Sequence, residues 1–517
     1  MKKTESDNCP QTPGGLKQNK ACVIVIFGVS GDLARKKIIP ALFNLFDMGM
    51  LNKNTRIAGI GRRKFCDIEY NEYIKNAVIN KPPCDGEAFK NHPCKKKIED
   101  FIRINSYHAA DFTLDEEYAA IRDFLKRTAS ENKICDFLYY LSTPPANFEQ
   151  IITALHRFGL SRPDFLDISC AGSFVRVIIE KPYGYDISSA RALNAKVLSI
   201  FSEDQIYRID HYLGKETVQN IMVFRFINGI FEPVWNQKYI DNVQIKVYES
   251  DGIGSRANYF DRSGIIRDII QNHSLQILSM IAMEPAASID ANSVRNEKLK
   301  VLQSIRPFAA DNPASSVVTG QYGPGHIGGL PVKGYTEEDN IDKDSTTETF
   351  AAIKLFIDNW RWAGVPFYLC AAKRMPQRLS EVIITFKPAP HLLFNNLCAS
   401  KEAISNELII RIQPDEGISL KIFCKRPGFE TLLQPVSMNF NYSLSFGQKM
   451  PEAYERLILD ALNGDATLFM RSDEIEAAWN YITPILKCLE QKLVMLNKYD
   501  AGSLGPGLCE FFGLDLC

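Results

Sequence analysis

The chain has 517 residues, of which 45% are hydrophobic and 23% charged, with a formal net charge of -1. This length exceeds what one hydrophobic core usually supports and predicts two or three domains of roughly 150 residues each. A near-neutral balance excludes a global pull toward nucleic acid or an anionic membrane, so small anions must be captured locally, and no apolar run reaches the ~20 residues needed to span a bilayer. Thirteen cysteines, an odd number scattered without a framework, suit reduced thiols in a cytoplasmic setting better than a disulfide scaffold.

Residues 1–20 mix Lys, Pro, Gly, Asn and Gln without an apolar centre, and read as a disordered tail rather than a signal peptide. Ala21 to Val29 is a β-branched run ending at Gly28; Ser30, Gly31, Asp32, Leu33 and Ala34 follow, then Ile38, Ile39, Leu42, Leu45 and Phe46 at helical spacing. This predicts a strand, a glycine turn and a helix. The glycines let the backbone approach a pyrophosphate, and the helix N-terminus offers it free amides. Taken alone, Gly28-Val29-Ser30-Gly31 is as readily a plain βα turn, and it lacks the first glycine spacing of the usual dinucleotide fingerprint. The next strand, Arg56 to Gly61, ends in Arg62-Arg63-Lys64, where an NAD-specific protein usually carries an acid for the ribose hydroxyls. Basic residues there suit a 2′-phosphate; a solvated basic turn is the plainer alternative. Residues Asn80 to Lys97 have few apolar anchors and are expected to form an insertion loop. Within it, Cys84, His92 and Cys94 match no standard zinc spacing, so no metal site is expected.

Strand-like Ile104 to His108, helical Leu114 to Arg127, strand-like Phe137 to Leu141, helical Asn147 to Leu155 and strand-like Val175 to Glu180 continue the alternation. Such a pattern predicts a doubly wound parallel sheet over residues 21–207, binding its ligand at the carboxyl ends of the strands. One such end is Tyr140-Leu141-Ser142-Thr143-Pro144-Pro145, whose backbone is placed to line a nicotinamide pocket. Another is Glu180-Lys181-Pro182, where a lysine reaches toward both cofactor and substrate, unless it serves only a strand-end salt bridge.

Arg208-Ile209-Asp210-His211-Tyr212-Leu213-Gly214-Lys215 puts a carboxylate, an imidazole, a phenol and an ammonium within eight positions. This set suits an oxyanion site with an acid that fixes a catalytic group, although by itself it is equally a polar cluster at a domain junction. Beyond it the pattern changes. Val243 to Glu249, Glu381 to Lys387, Leu408 to Ile412, Leu420 to Cys424 and Leu432 to Met438 read as strands with short connections, which predicts a larger α+β domain over 208–517 built on a mostly antiparallel sheet with helices. Ile265 to Met283 is an apolar helix carrying His273, and a histidine there is more often a core residue than a base. Asp268, Gln271 and Asn272 crowd its first turns with polar groups that a core helix does not need. Asp268 and His273, five apart, do not share a stripe of an α-helix and are expected on different walls of a pocket. By composition, Gly320 to Glu338 is a flexible glycine-rich connection.

Together the octamer, Glu180-Lys181-Pro182-Tyr183-Gly184 and Arg267-Asp268-Ile269-Ile270-Gln271-Asn272-His273 resemble the glucose-6-phosphate dehydrogenase family, and the resemblance runs from about Val23 to about Ile485. It includes the G-x-S-G-D-L-A variant of the glycine turn, Ser345 to Ala352, Asp358 to Tyr368, and Lys373 to Arg378; Ala372 stands where the family commonly has Gly. It implies NADP-dependent oxidation of glucose 6-phosphate at C1 to 6-phosphogluconolactone by hydride transfer, the first step of the oxidative pentose phosphate pathway. That reaction needs one base and a nicotinamide but no metal. The resemblance assigns the base to His273 and its orienting carboxylate to Asp210. Substrate binding falls to Lys181, His211, Tyr212, Lys215, Glu249, Asp268, Lys373 and Arg378. Cofactor binding falls to Gly28, Ser30, Gly31, Asp32, Leu33, Lys37, Arg62, Tyr140, Pro144 and Lys181. A homodimer or homotetramer in the cytoplasm, without nucleic acid or membrane partners, is also implied. Two rivals remain at this stage: a dehydrogenase of another sugar phosphate, and a nucleotide sensor that has lost turnover. The sensor has no need of Asp210 or His273.

Overall fold

A computed structural model describes residues 19–79, 94–166, 170, 172–389, 405–447 and 450–512, and the structural statements below concern these residues. Most of the tail (1–18), and Cys84 and His92 of the insertion, lie outside them. By packing, the chain divides into two units. One gathers residues 1–179, 200–207 and 458–465; the other gathers 180–199, 208–457 and 466–517.

The first unit is built on β1 (Cys22–Phe27), β2 (Arg56–Gly61), β3 (Asn105–Ala109), β4 (Asp136–Leu141), β5 (Val175–Ile179) and β6 (Ile206–Arg208). β1 and β4 are buried at every residue, as strands covered on both faces must be. The sheet order is β3-β2-β1-β4-β5-β6, with parallel pairing through β1 to β5. The winding therefore reverses between β1 and β4, whose carboxyl ends lie side by side at Phe27 and Leu141. This crevice is where open α/β sheets bind ligands.

The second unit carries β7 (Ile240–Tyr248), β8 (Val317–Gly323), the hairpin β9 (Gly325–Ile327) and β10 (Leu330–Val332), β11 (Phe350–Phe356), β12 (Pro366–Ala372), β13 (Leu379–Phe386), β14 (Glu407–Gln413), β15 (Gly417–Lys425), β16 (Leu433–Asn441) and β17 (Leu496–Asp500). Its large sheet has the order β16-β15-β14-β13-β7-β12-β11-β8-β17, antiparallel except for the parallel pairs β7–β12 and β8–β17. β13 and β14 alternate buried with half-buried residues, the period-two signature of a sheet packed on one face. Central β7 is buried at all positions but Asp241. The helix bearing His273 packs against β7 and β12. Among the described residues no helix is long and apolar enough to cross a membrane.

Several expectations need correction. Gly320 to Gly323 is not a flexible loop but the end of β8, and the run to Glu338 continues through the β9–β10 hairpin and a short 3₁₀ turn. Space at Gly320 is tight, since a Cβ would meet Pro506, Tyr499 and Phe350 at 3.0–3.3 Å. Residues 94–97 open a helix, Cys94–Arg103, rather than closing a loop. The expectation of reduced thiols fails at one pair, for Cys135 and Cys170 form a disulfide across a Cα–Cα distance of 5.5 Å. They lie 35 residues apart in sequence, and the parallel pairing of β4 with β5 brings their flanking segments together. Cys22, Cys66, Cys370, Cys424 and Cys488 form no disulfide. Ala372, in contrast, closes β12 in ordinary ladder pairing with Phe350 and Tyr248, so no glycine is needed there.

Candidate active site

The octamer after β6 folds into tight turns in which Leu213 N–H donates to the Asp210 carbonyl and Lys215 N–H to that of Tyr212, both at 3.1 Å. These turns aim Asp210 inward, and the Tyr212 amide holds its Oδ1 at 2.9 Å. The same oxygen lies 2.5 Å from His273 Nδ1, with Asp210 0% and His273 1% exposed. A carboxylate on Nδ1 makes that nitrogen the N–H donor and leaves Nε2 with its lone pair. Nε2 in turn faces Lys181 Nζ at 2.9 Å, and this ammonium also donates to the Asp268 carbonyl at 2.8 Å and contacts Asp268 Oδ1 at 3.4 Å.

Asp268 and His273 thus converge on one lysine, which corrects the expectation of separate walls. The cause is the backbone. The expected single helix is broken at Gly264 (φ 65°, ψ 176°), and Ile266–Ser274 then winds as a π-helix before α-helical Leu275–Ala282. With i→i+5 hydrogen bonding, a five-residue spacing returns to nearly the same face.

Burial alone would raise the Asp210 carboxyl, but His273, its hydrogen bond and His211 outweigh that and hold it well below the usual carboxylate range. Burial pushes the His273 imidazole down and Lys181 adds to the effect, while Asp210 only partly offsets it. At neutral pH the pair is therefore a carboxylate and a neutral imidazole, the state a general base requires. His211, half-buried with its ring 4.5 Å from that of His273, is held still lower by burial and by the neighbouring His273 and Lys181.

Around this pair lie the other expected residues. Lys373, fully buried, bonds Glu249 at 2.5 Å and sits 3.7 Å from Asp268 Oδ2. Against the burial that would raise it, Asp268 is held far down by Lys181 and Lys373, and Glu249 is lowered by Lys373. Tyr212 stacks on His273 at 4.3 Å and bonds Ser380 at 3.0 Å, while Lys215 Nζ lies 4.5 Å from the Tyr212 ring. Gln413, at the end of β14, was not anticipated. Its Oε1 accepts from Lys215 and, at 3.3 Å, from Arg378, and its Nε2 reaches Ser380 at 3.0 Å and the Tyr212 hydroxyl at 3.3 Å. Nothing marks a glutamine at a strand end as functional, so the sequence carried no signal for it. The site thus holds two things in one unit: a buried carboxylate–imidazole pair, and the cations Lys215 and Arg378 gathered on one amide.

Ligand atoms of Asp210, His211 and His273 lie within 4.8 Å of one another. A metal there would have to displace the Asp210–His273 hydrogen bond, so acid–base work is the better use of this trio.

In the first unit the expected turn follows β1. Gly28 has φ 83° and donates to the Ile60 carbonyl at 2.9 Å, and Gly31 N–H donates to the Gly28 carbonyl at 2.9 Å. A Cβ on Gly28 would lie 2.6 Å from the Ser142 carbonyl oxygen, so the β1 turn and the end of β4 approach as closely as backbones allow. The chain turns at Ser30 and Gly31 and is helical from Asp32 and Leu33 onward, with Lys37 exposed in the first turns. Asp32 pairs with Lys36 at 3.1 Å. Arg62 is exposed directly after β2, and Pro144 is exposed after β4. Tyr140 is buried within β4, so its side chain serves the core and any contact it makes to a ligand is through backbone. A dinucleotide fits this donor set: bare glycine backbone, a helix N-terminus and an exposed guanidinium.

A doubly wound sheet with this turn, in a chain that also holds a buried carboxylate–imidazole pair, defines a nucleotide-dependent oxidoreductase. Family models for the glucose-6-phosphate dehydrogenase NAD binding domain and C-terminal domain match residues 25–220 and 222–511. The chain belongs to the glucose-6-phosphate dehydrogenase family. It is 43% identical over 502 residues to the glucose-6-phosphate 1-dehydrogenase of Chlamydia pneumoniae, covering 96% of each chain. To that of Aggregatibacter actinomycetemcomitans it is 44% identical over 486 residues, covering 94% of each. Among solved structures it is similar to a glucose-6-phosphate dehydrogenase in complex with its substrate glucose 6-phosphate, with TM-score 0.84, 37% identity, and 97% and 98% of the two chains covered. The Mycobacterium avium enzyme follows with TM-score 0.76, 31% identity, and 95% and 97% covered.

Gly28→Ala tests the turn. A left-handed alanine costs roughly 1–2 kcal/mol, and the clash with Ser142 adds to it. The KM for the dinucleotide is expected to rise about tenfold or more, measured by initial rates; an unchanged KM would remove the turn from the cofactor site.

Proposed function

We propose that the protein catalyses NADP-dependent oxidation of glucose 6-phosphate at C1 to 6-phosphogluconolactone, with His273 as general base and Asp210 as its orienting carboxylate, opening the oxidative pentose phosphate pathway. The observation that carries this reading is the buried His273–Asp210 pair with Nε2 turned toward Lys181. His273 Nε2 takes the proton of the 1-hydroxyl, and the imidazolium so formed is stabilised where it lies against Asp210. For that to happen the hydroxyl takes the place that Lys181 Nζ holds on Nε2. Until then burial, with the ammonium adding to it, keeps the imidazole neutral. The nicotinamide, when bound, supplies the hydride acceptor. His211, Tyr212, Lys215 and Arg378 bind the 6-phosphate, with Lys181 and Lys373 as further cations, while Glu249 and Asp268 accept from sugar hydroxyls. In the nucleotide site Gly28, Ser30, Gly31, Asp32, Leu33 and Lys37 hold the pyrophosphate end, and Arg62 pairs with the 2′-phosphate. Tyr140 and Pro144 line the nicotinamide pocket through backbone. The reading further includes domains at 21–207 and 208–517 after a tail of 20 residues, a cytoplasmic setting, and a homodimer or homotetramer. Another sugar phosphate as the true substrate is tested in the same assay, by comparing NADPH formation across sugars.

Three measurements check this. His273→Asn keeps size and some hydrogen bonding but removes the base, so turnover should fall by roughly 10²- to 10⁴-fold with substrate binding changed far less. Asp210→Asn should reproduce much of that loss, and the double variant should cost much less than the product of the singles. Near-normal turnover with a lowered melting point would make His273 a core residue. Because His273 is held below its ordinary value, it stays neutral into mild acid. The acid limb of kcat/KM, corrected for the phosphate's own ionisation, should therefore lie below about 6.5; a limb above that value contradicts the assignment. Arg62→Ala should raise KM for NADP much more than for NAD, and equal effects would dissociate Arg62 from the 2′-phosphate.

A further inference from the structure

The π-helix is the costly part of this site, because its ladder is a rare one; inside it the Asn272 side chain donates to the Arg267 carbonyl at 3.2 Å and accepts from His273 N–H at 2.7 Å. Its starting point is fixed from outside. Glu348, 9% exposed, meets the first two amides of the new winding: its carbonyl accepts from Ile265 N–H at 3.0 Å and its Oε1 from Ile266 N–H at 3.2 Å. These are donors that a helix start leaves without intrahelical partners, and the positive end of the helix dipole favours a carboxyl there. The preceding residue, Gly264, stands at φ 65° and ψ 176° and breaks the helix Ala257–Ile265; a Cβ on it would run into the Glu348 carboxyl. So the break in the chain and the group that caps the restart occupy one space.

Glu348 is itself anchored to the sheet. Its neighbour Thr349 donates its N–H to the Gly320 carbonyl at 2.8 Å and accepts from Lys373 N–H at 3.0 Å. The segment that sets the helix start therefore also holds the backbone of Lys373, whose ammonium pairs with Glu249 and lies 3.7 Å from Asp268 Oδ2. Glu348 and its neighbour thus relate the helix carrying Asp268 and His273 to Lys373, which directly follows β12.

We propose that Glu348, acting through Gly264, is a positioning residue that sets the register of the Ile266–Ser274 helix and so the placement of Asp268 and His273. It touches neither substrate nor base and acts through the helix. Burial pushes its carboxyl up to about 7, with backbone hydrogen bonds and Arg267 pulling the other way. In either protonation state one oxygen still accepts from Ile266 N–H, which makes glutamine the conservative replacement.

The inference rests on the reading of His273 as the base, and the experiment separates the two. Glu348→Ala and Gly264→Ala are expected to lower kcat by roughly 10- to 100-fold, since a displacement of the order of 1 Å at a reacting group costs up to about 10², with KM for NADP unchanged. Glu348→Gln should stay within about threefold of the wild-type kcat, and the Glu348→Ala/Gly264→Ala double variant should lose far less than the product of the singles, because one contact is removed twice. A second readout needs no turnover: in histidine-selective ¹⁵N spectra, the Nδ1–H signal identified by its loss in His273→Asn should shift in Glu348→Ala and stay in place in Glu348→Gln. If Glu348→Ala does not fold, Glu348→Ser and Glu348→Gln provide the same contrast. Wild-type kcat in the alanine variant, equal losses in alanine and glutamine variants, or an unmoved Nδ1–H signal overturns the proposal. Failure of wild type to form NADPH from glucose 6-phosphate overturns the functional reading instead and leaves the spectroscopic comparison to decide the helix register.

Discussion

Everything in the second unit's polar core depends on one buried hydrogen bond, from the His273 imidazole to the Asp210 carboxylate at 2.5 Å. An ionised carboxylate with no exposure is expensive to bury unless partners replace its water. The Tyr212 amide and the imidazole do so at Oδ1, and in return the carboxylate fixes the tautomer that leaves the Nε2 lone pair free of a proton. Stability and chemistry therefore place the same demand on the geometry.

The surrounding charges follow the same logic. Asp268 and Glu249 would each be costly alone in this interior, and Lys181 pairs with Asp268 while Lys373 pairs with both. The net result is a site that stays ionised yet is nearly balanced, while Lys181 opposes a second positive charge on His273. Removing one member of such a set leaves another charge buried and uncompensated, which costs more than the pair's own attraction supplies. The cation pair on Gln413 differs in kind, for Lys215 and Arg378 both donate to a neutral amide oxygen.

The π-helix shows why a rare backbone persists. An α-helix over the same residues would carry Asp268 and His273 to different sides, whereas the i→i+5 winding presents both to Lys181. Such a winding is maintained by what surrounds it, through the break at Gly264 and the packing against β7 and β12. In the first unit the equivalent constraint is the close approach of Gly28 to Ser142, which only a residue without a Cβ permits.

Local patterning by itself determined a great deal here. Alternating β-branched and helical runs announced the doubly wound sheet, strand-like runs with short connections announced β7 and β13 to β16, Asp210, His211 and Lys215 stood out as clustered chemistry, and His273 because polar groups crowd an apolar helix around it. What it could not determine were features that depend on residues distant in the chain. The end of β8, Gly320 to Gly323, read as part of a flexible connection, is strand because β8 pairs with β11 and β17 on either side. Cys135 and Cys170 are joined because two parallel strands bring together segments 35 residues apart. Gln413 and Glu348 became visible only when the large sheet carried one to Lys215 and the other to the start of the His273 helix. The spacing of Asp268 and His273 was plain in the sequence, but the helical winding that gives the spacing its meaning is decided by tertiary contacts, since local propensity strongly favours the α-helix and only packing and capping from elsewhere can hold the wider turn.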